Sequence, residues 1–271
     1  MTGTAGPDRP DGLDDVVADL VRRLGAGEHV LLALDFDGVL APLVDDPSAS
    51  RALPAAVAAL ERLAHVPGLH LALVSGRAVG DLAALAEVPE GTWLTGSHGA
   101  ERGRWAGGAL ERVPLELEPD VAARLAALTE RLVAAVDGTT ARVEHKPASV
   151  VLHTRTATRD DAERLTAVAL ALGAEHEADG VDTMRGKDVV ELAVLRVTKG
   201  DALATLREQT GAATVVYAGD DVTDERAFVT LRDTDVTIKV GDGETAARLR
   251  VPDPDAVAAL LARLADAAGA G

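Results

Sequence analysis

The sequence predicts an α/β fold: a doubly wound, Rossmann-like parallel sheet with a smaller inserted α+β domain. Three observations predict it. Short, wholly apolar runs alternate with stretches of helical periodicity, as in a parallel sheet covered by helices on both faces. The alternation lapses between about Val113 and Leu192, where helices and short strands follow a different order. Acidic or hydroxyl residues stand within two positions of the end of three of the apolar runs, at the edge where open parallel sheets bind ligands.

In chain order, residues 1–12 are mostly Gly, Pro, Asp and Thr and read as a disordered tail. Val30–Leu34 is a continuous apolar run, as in a buried strand. Pro54 opens a helix in which Val57, Leu60 and Ala64 recur at helical spacing. Leu69–Val74 reads as a second strand, Val79–Ala86 as a helix and Thr92–Thr95 as a third, shorter strand. In the middle, the helix Asp120–Val136 turns Val121, Leu125, Leu128 and Leu132 to one face. Arg142–His145 and Ser149–Arg155 form a pair of strands around Lys146-Pro147. A helix then runs from about Asp160 to Leu172, and Val189–Leu192 is strand-like. The first grammar resumes with helix Asp201–Gln209, strand Thr214–Ala218, helix Asp224–Leu231 and strand Val236–Val240. Asp253-Pro254 supplies a cap and a first-turn proline ahead of Val257, Leu260 and Leu264. The expected organisation is a core domain of residues 1–112 and 193–271, with an inserted domain of 113–192.

Composition narrows the function. A chain of 271 residues, 47% hydrophobic, buries a sizeable core without staples. It has no cysteine, which excludes disulfides, zinc–thiolate sites, iron–sulfur clusters and cysteine nucleophiles. Lys and Arg total 27 against 44 Asp and Glu, a formal charge of -17, a field that repels nucleic-acid backbones and anionic membranes. Phe36, Trp93, Trp105, Tyr217 and Phe228 are the whole aromatic complement, too few for base-stacking platforms. No apolar run approaches the roughly 20 residues of a membrane span, and the first dozen residues lack the apolar core of a signal peptide. No nucleic-acid or membrane partner is expected; a cytoplasmic monomer is.

The residues after the strands carry the chemistry. The first run is followed by Asp35-Phe36-Asp37-Gly38, the second by Ser75-Gly76-Arg77, and Thr214–Ala218 by Gly219-Asp220-Asp221-Val222-Thr223-Asp224. Any one of these acids suits an ordinary solvated loop in so acidic a chain. Gathered at one edge, they need a cation among them, and an all-oxygen set suits Mg²⁺ better than zinc or copper. Of two nearby carboxylates, one can attack a phosphoryl group and the other can protonate the leaving oxygen. A turn or helix-capping pair would also account for Asp35 and Asp37. Lys199 precedes a helix; a lysine there is either solvated or held by an anion that also meets the helix amides. His29, His65, His70 and His176 are scattered, with no two at ligand spacing. Neither a Gly-x-Ser-x-Gly elbow nor a Gly-x-x-x-x-Gly-Lys loop occurs.

Asp35-x-Asp37-Gly38-Val39, Ser75, Lys199 and Gly219-Asp220-Asp221-x-x-Asp224, in that order, resemble the haloacid dehalogenase superfamily of phosphotransferases. The resemblance implies Asp35 as nucleophile, Asp37 as general acid/base, and Ser75, Gly76 and Lys199 on the phosphate. It implies a Mg²⁺ site of Asp35, the Asp37 carbonyl and Asp220, with Asp221 and Asp224 orienting metal waters or Lys199. After about residue 28 the finer resemblance is to trehalose-6-phosphate phosphatases. It is carried by Ser75-Gly76-Arg77, His98-Gly99-Ala100-Glu101, Glu144-His145-Lys146, His153-Thr154-Arg155 and Gly186-Lys187-Asp188-Val189-Val190-Glu191, besides the acidic motifs. It implies that the inserted domain caps the site and that Arg77, His98, Glu144, Lys146, Lys187 and Glu191 contact a sugar phosphate. Read as strand residues, Lys187 and Glu191 share a face about 13 Å apart. His153-Thr154-Arg155 departs from the His-Tyr-Arg more usual there, and no proline follows Glu191.

The expected activity is therefore Mg²⁺-dependent hydrolysis of trehalose 6-phosphate through an aspartyl phosphate. Two alternatives stand beside it: a phosphatase for another disaccharide-like or pseudo-disaccharide phosphate, and a non-catalytic sugar-phosphate sensor.

Overall fold

The computed structural model describes residues 12–269; the tail expected over 1–12 lies outside them, apart from Gly12. The chain divides into two compact units, one formed by residues up to Val113 together with those from Thr198 onward, the other by Pro114–Val197. In chain order the first unit begins with α1 (Leu13–Gly25), β1 (Val30–Leu34), α2 (Pro54–Leu63), β2 (Leu69–Val74) and α3 (Val79–Ala86). β3 (Trp93–Gly96), β4 (Glu101–Ala106) and β5 (Ala109–Val113) follow. The second unit comprises α4 (Pro119–Val136), β6 (Arg142–Lys146), β7 (Ser149–His153), α5 (Arg159–Glu175), β8 (Asp182–Gly186) and β9 (Val189–Ala193). The first unit is completed by α6 (Lys199–Thr210), β10 (Thr214–Gly219), α7 (Val222–Phe228), β11 (Val236–Val240), β12 (Leu249–Val251) and α8 (Pro254–Gly269).

The eight strands of the first unit run in the order β12-β11-β10-β1-β2-β3-β4-β5. All pairs from β12 to β3 are parallel, and the β3–β4 and β4–β5 pairs are antiparallel. The predicted doubly wound α/β fold is thus present. Its cause is visible in β1, where all five residues are buried. Val30, Leu32 and Leu34 pack under α1, α2 and α8, whereas Leu31 and Ala33 pack under α6 and α7. Strand alternation alone divides one apolar run between two cores. β1 pairs with β10 on one side and β2 on the other, so the winding reverses there, the crevice in which such sheets bind ligands.

Several elements differ from expectation. α1, β4, β5, β8 and β12 were not foreseen. α7 begins at Val222, not Asp224, because the Asp221 carboxylate caps it, accepting the Thr223 and Asp224 amides at 2.7 and 3.0 Å. α6 begins at Lys199 because Thr198 and Asp201 form a reciprocal capping box.

The second unit is an antiparallel sheet in the order β6-β7-β9-β8. Val150, Leu152, Val190 and Leu192 bury one face against Leu128 and Leu132 of α4 and Leu165, Ala169 and Leu172 of α5. By period 2 the opposite face carries Glu144, Lys146, Ser149, His153 and Glu191. Among the described residues no helix is long and apolar enough to cross a membrane.

Candidate active site

Asp35, Ser75 and Asp220 are each the first residue beyond a strand, respectively β1, β2 and β10, and these strands are neighbours in the sheet. The Asp35 amide donates to the Ala218 carbonyl at 3.0 Å, tying the β1 and β10 ends together. Lys199, at the head of α6, reaches the same place with its side chain 1% exposed. Its Nζ donates to Asp35 Oδ2 at 2.6 Å and Asp224 Oδ1 at 2.7 Å, and Asp221 Oδ1 is 3.9 Å away. The other Asp35 oxygen accepts the Phe36 amide at 2.6 Å. Asp224 is fully buried and saturated. Oδ1 also accepts Tyr217 Oη at 2.5 Å, and Oδ2 accepts the amides of Asp220 and Asp221 at 2.9 and 3.0 Å.

Carboxylates outnumber cations in this buried cluster. Burial pushes the Asp35 carboxyl up to about 8; the Asp224 charge adds to this and Lys199 opposes it. Burial likewise raises Asp220 to about 6, assisted by Asp224 and Asp221. Burial disfavours the Lys199 ammonium, yet Asp35, Asp224 and Asp221 together hold its pKa above the ordinary lysine value. The two shifts have different causes: loss of water holds the proton on Asp35, whereas the surrounding carboxylates hold it on Lys199. Burial also works to raise Asp221, but Lys199 and hydrogen bonds from Thr223 and Asp224 prevail and lower it.

That surplus is what a divalent cation would relieve. Carboxylate oxygens of Asp35, Asp220 and Asp224 lie within 4.8 Å of one another, and the all-oxygen donor set fits Mg²⁺. Asp224 accepts two donors at each oxygen, whereas Asp35 accepts one at each, so Asp35 and Asp220 are the members with lone pairs left to offer. Gly38 has φ +74°, and a Cβ there would run into the Asp220 carboxylate. Glycine is therefore what lets the β1 loop approach Asp220.

Asp37 stands in a separate network. Arg77 Nε donates to its Oδ2 at 2.6 Å and Nη2 to its Oδ1 at 2.7 Å. Ser50 Oγ adds a bond to Oδ1 at 2.9 Å, and the guanidinium lies 5.5 Å from the Phe36 ring centre. Arg77, expected to contact substrate, here holds a carboxylate of its own unit. Ser75 Oγ accepts the Arg77 amide at 3.2 Å, and the Ser75 carbonyl accepts the His98 amide at 3.0 Å. A Cβ on Gly76 would meet the His98 ring, so His98 backs this loop. Ser97 and His98 both have positive φ, +49° and +56°, an uncommon conformation for side-chain-bearing residues.

In the second unit, Glu191 accepts Lys146 Nζ at 3.2 and 3.3 Å and Ser149 Oγ at 2.5 Å. Glu144 Oε2 and His153 Nε2 are 2.7 Å apart. Lys187 is not on a strand with Glu191. β9 begins only at Val189, and Lys187 is exposed in the turn after β8, where Asp188 takes φ +58°.

Sequence reasoning missed Tyr217, Ser50, Lys239, Ser149 and His153 as members of these networks. Lys239 carried a readable signal, a lone charge within an apolar strand. His153 meets Glu144 diagonally across the β6–β7 pair, its direct partner being Arg142, and Ser50 reaches Asp37 from 13 positions away, which no spacing rule anticipates.

A doubly wound sheet with this carboxylate–lysine cluster at its switch point defines a protein of the haloacid dehalogenase class. Within it, the sequence model of the family described as trehalose-phosphatase matches residues 33–255. The chain belongs to the trehalose-phosphatase family. It is 36% identical over 255 residues to a trehalose-phosphate phosphatase of Mycobacterium avium, covering 89% of this chain and 63% of that protein. It is 34% identical over 273 residues to a Mycobacterium tuberculosis protein described as an uncharacterized glycosyl hydrolase, covering 94% of this chain but 20% of that one. The chain therefore spans less than two thirds of the length of these relatives. Among solved structures, a trehalose-6-phosphate phosphatase related protein superposes with a TM-score of 0.63 at 26% identity, covering 85% of this chain and 95% of that chain. The trehalose-6-phosphate phosphatase of Aspergillus fumigatus shares the fold with a TM-score of 0.66 at 22% identity, covering 97% and 99%.

Proposed function

We propose that the protein is a phosphatase that hydrolyses trehalose 6-phosphate to trehalose and inorganic phosphate. The observation that carries this reading is the buried Asp35–Lys199–Asp224 cluster beside Asp220, in a chain of the trehalose-phosphatase family. Asp35 attacks phosphorus, forming an acyl phosphate as the bond from phosphorus to the sugar oxygen breaks. Asp37 gives its proton to the departing oxygen. Water then attacks the acyl phosphate, Asp37 takes the water's proton, and phosphate leaves with the Asp35 carboxylate restored. Lys199 and the Ser75-Gly76 loop hold the phosphoryl oxygens, and Asp221 and Asp224 keep Lys199 charged and in place. Asp35, the Asp37 carbonyl and Asp220 would hold Mg²⁺, which offsets phosphoryl negative charge when bound. Glu144, Lys146 and Glu191 present hydrogen-bonding groups suited to sugar hydroxyls.

A second reading, a different disaccharide phosphate, is favoured by the departures in the inserted domain, where Thr154 stands in place of the more usual tyrosine and no proline follows Glu191.

The test is phosphate release from trehalose 6-phosphate, glucose 6-phosphate and sucrose 6-phosphate, with Mg²⁺ and with EDTA. Metal-dependent preference for trehalose 6-phosphate is expected. Activity confined to a generic aryl phosphate would overturn the substrate assignment and leave the chemistry standing. Binding of sugar phosphate without turnover would return the protein to the sensor class.

A further inference from the structure

We propose that Lys239 is a positioning residue for Asp220, tethering the main chain of its loop so that the carboxylate is left free for the metal. The inference rests on the phosphatase reading above.

Lys239 lies in β11, where all five residues are buried. A lysine is tolerated in such a place only when its ammonium is partnered. Register sets it opposite Gly219, the last residue of β10 and the one before Asp220. From there, with the side chain 7% exposed, Nζ lies 3.7 Å from Glu225 Oε1 and donates to the main-chain carbonyl of Asp220. Glu225 Oε2 in turn accepts the Ala246 amide at 2.8 Å. One ammonium thus joins β11 to the loop after β10, and through Glu225 to α7 and the segment after β11.

A cation here can act in two ways, with opposite consequences. As a charge, Lys239 repels a metal ion, and its removal would tighten metal binding. As a tether, it fixes the loop, and its removal would weaken metal binding. The geometry points to the tether. Nζ meets the Asp220 carbonyl rather than its carboxylate. The Asp220 amide is held by Asp224 Oδ2 at 2.9 Å. The loop is therefore gripped at the peptide on each side of Asp220, while no hydrogen bond among the described residues engages the Asp220 carboxylate.

The experiment uses the full chain and Mn²⁺, whose free ion is counted by electron paramagnetic resonance, in the absence of substrate. Lys239→Met is expected to weaken Mn²⁺ binding by about 10- to 100-fold, as loss of supporting contacts around metal ligands does. Lys239→Arg, which keeps both charge and donor, should recover most of the affinity. In turnover, Lys239→Met should need more Mg²⁺ for half-maximal rate, while KM for trehalose 6-phosphate measured in excess Mg²⁺ stays at the wild-type value. Unchanged or tighter Mn²⁺ binding by Lys239→Met overturns the proposal. Should that variant not fold, Lys239→Gln is judged by the same criterion. Wild-type protein that takes up no Mn²⁺ overturns both this inference and the metal site. Mn²⁺ uptake without sugar-phosphate turnover removes only the substrate assignment.

Discussion

Arg77 grips Asp37 with a two-pronged hydrogen bond, Nε on one carboxylate oxygen and Nη2 on the other. The two residues lie 40 positions apart and meet because β1 and β2 are paired strands whose loops leave the sheet at the same edge. A planar fork fixes a carboxylate's orientation as well as its charge. In a reaction that needs a proton delivered to one oxygen, orientation is the part that matters.

A lysine supplies the charge without the fork. Arg77→Lys is therefore expected to lower kcat by about 100-fold, the cost of a small misplacement near the chemistry, with KM and melting temperature little changed. Steady-state kinetics on trehalose 6-phosphate decide it. A raised KM with kcat preserved would show that Arg77 serves the substrate instead.

Asp224 and Asp221 are three positions apart and differ sharply in exposure, 0% against 49% for the side chain. Asp224→Ala strips a buried ammonium and a buried phenol of an acceptor. It is expected to cost about 3–5 kcal/mol of stability, as breaking a buried ion pair does. Asp221→Ala removes a helix cap, at about 1 kcal/mol. Urea unfolding of both variants gives the comparison, and equal losses would contradict the saturated-acceptor role of Asp224.

The raised acids make the effect of metal pH-dependent. Asp35 binds its proton more tightly folded, up to about 8, than at its ordinary value of 3.8. Its contribution therefore favours the metal-free fold below the ordinary value and is lost as pH rises through about 8; Asp220 behaves likewise through about 6. Mg²⁺ requires the ionised carboxylates. The rise in melting temperature on adding Mg²⁺ should thus be small at about pH 5 and larger at about pH 8.5. Equal shifts at both would show that these carboxyls are not the ones the metal engages.

The strand ends were legible because each is a short apolar run broken by an acid or hydroxyl, and the sheet follows from such runs. Elements whose pattern is mixed were not. β5 is mostly exposed, and the Gly107-Gly108 turn between β4 and β5, with φ of +61° and +75°, was the one cue to that hairpin. Lys187 was misplaced because strand alternation was carried back from Glu191 across the Lys187-Asp188 turn. Arg77, Ser50 and Lys239 reach their partners through strand pairing and loop packing, which act between residues too far apart in sequence for any local spacing to show.

Lys199 is the second residue of the chain after Pro114–Val197 ends. Everything that places it lies elsewhere: Thr198 and Asp201 cap its helix, and Asp35 and Asp224 hold its ammonium. The polypeptide between Val113 and Thr198 is thus, in heredity's terms, a cassette. Its sequence can drift, lengthen or be exchanged for another while the reactive apparatus is inherited intact. Changes confined to Pro114–Val197 leave each of these placing contacts untouched.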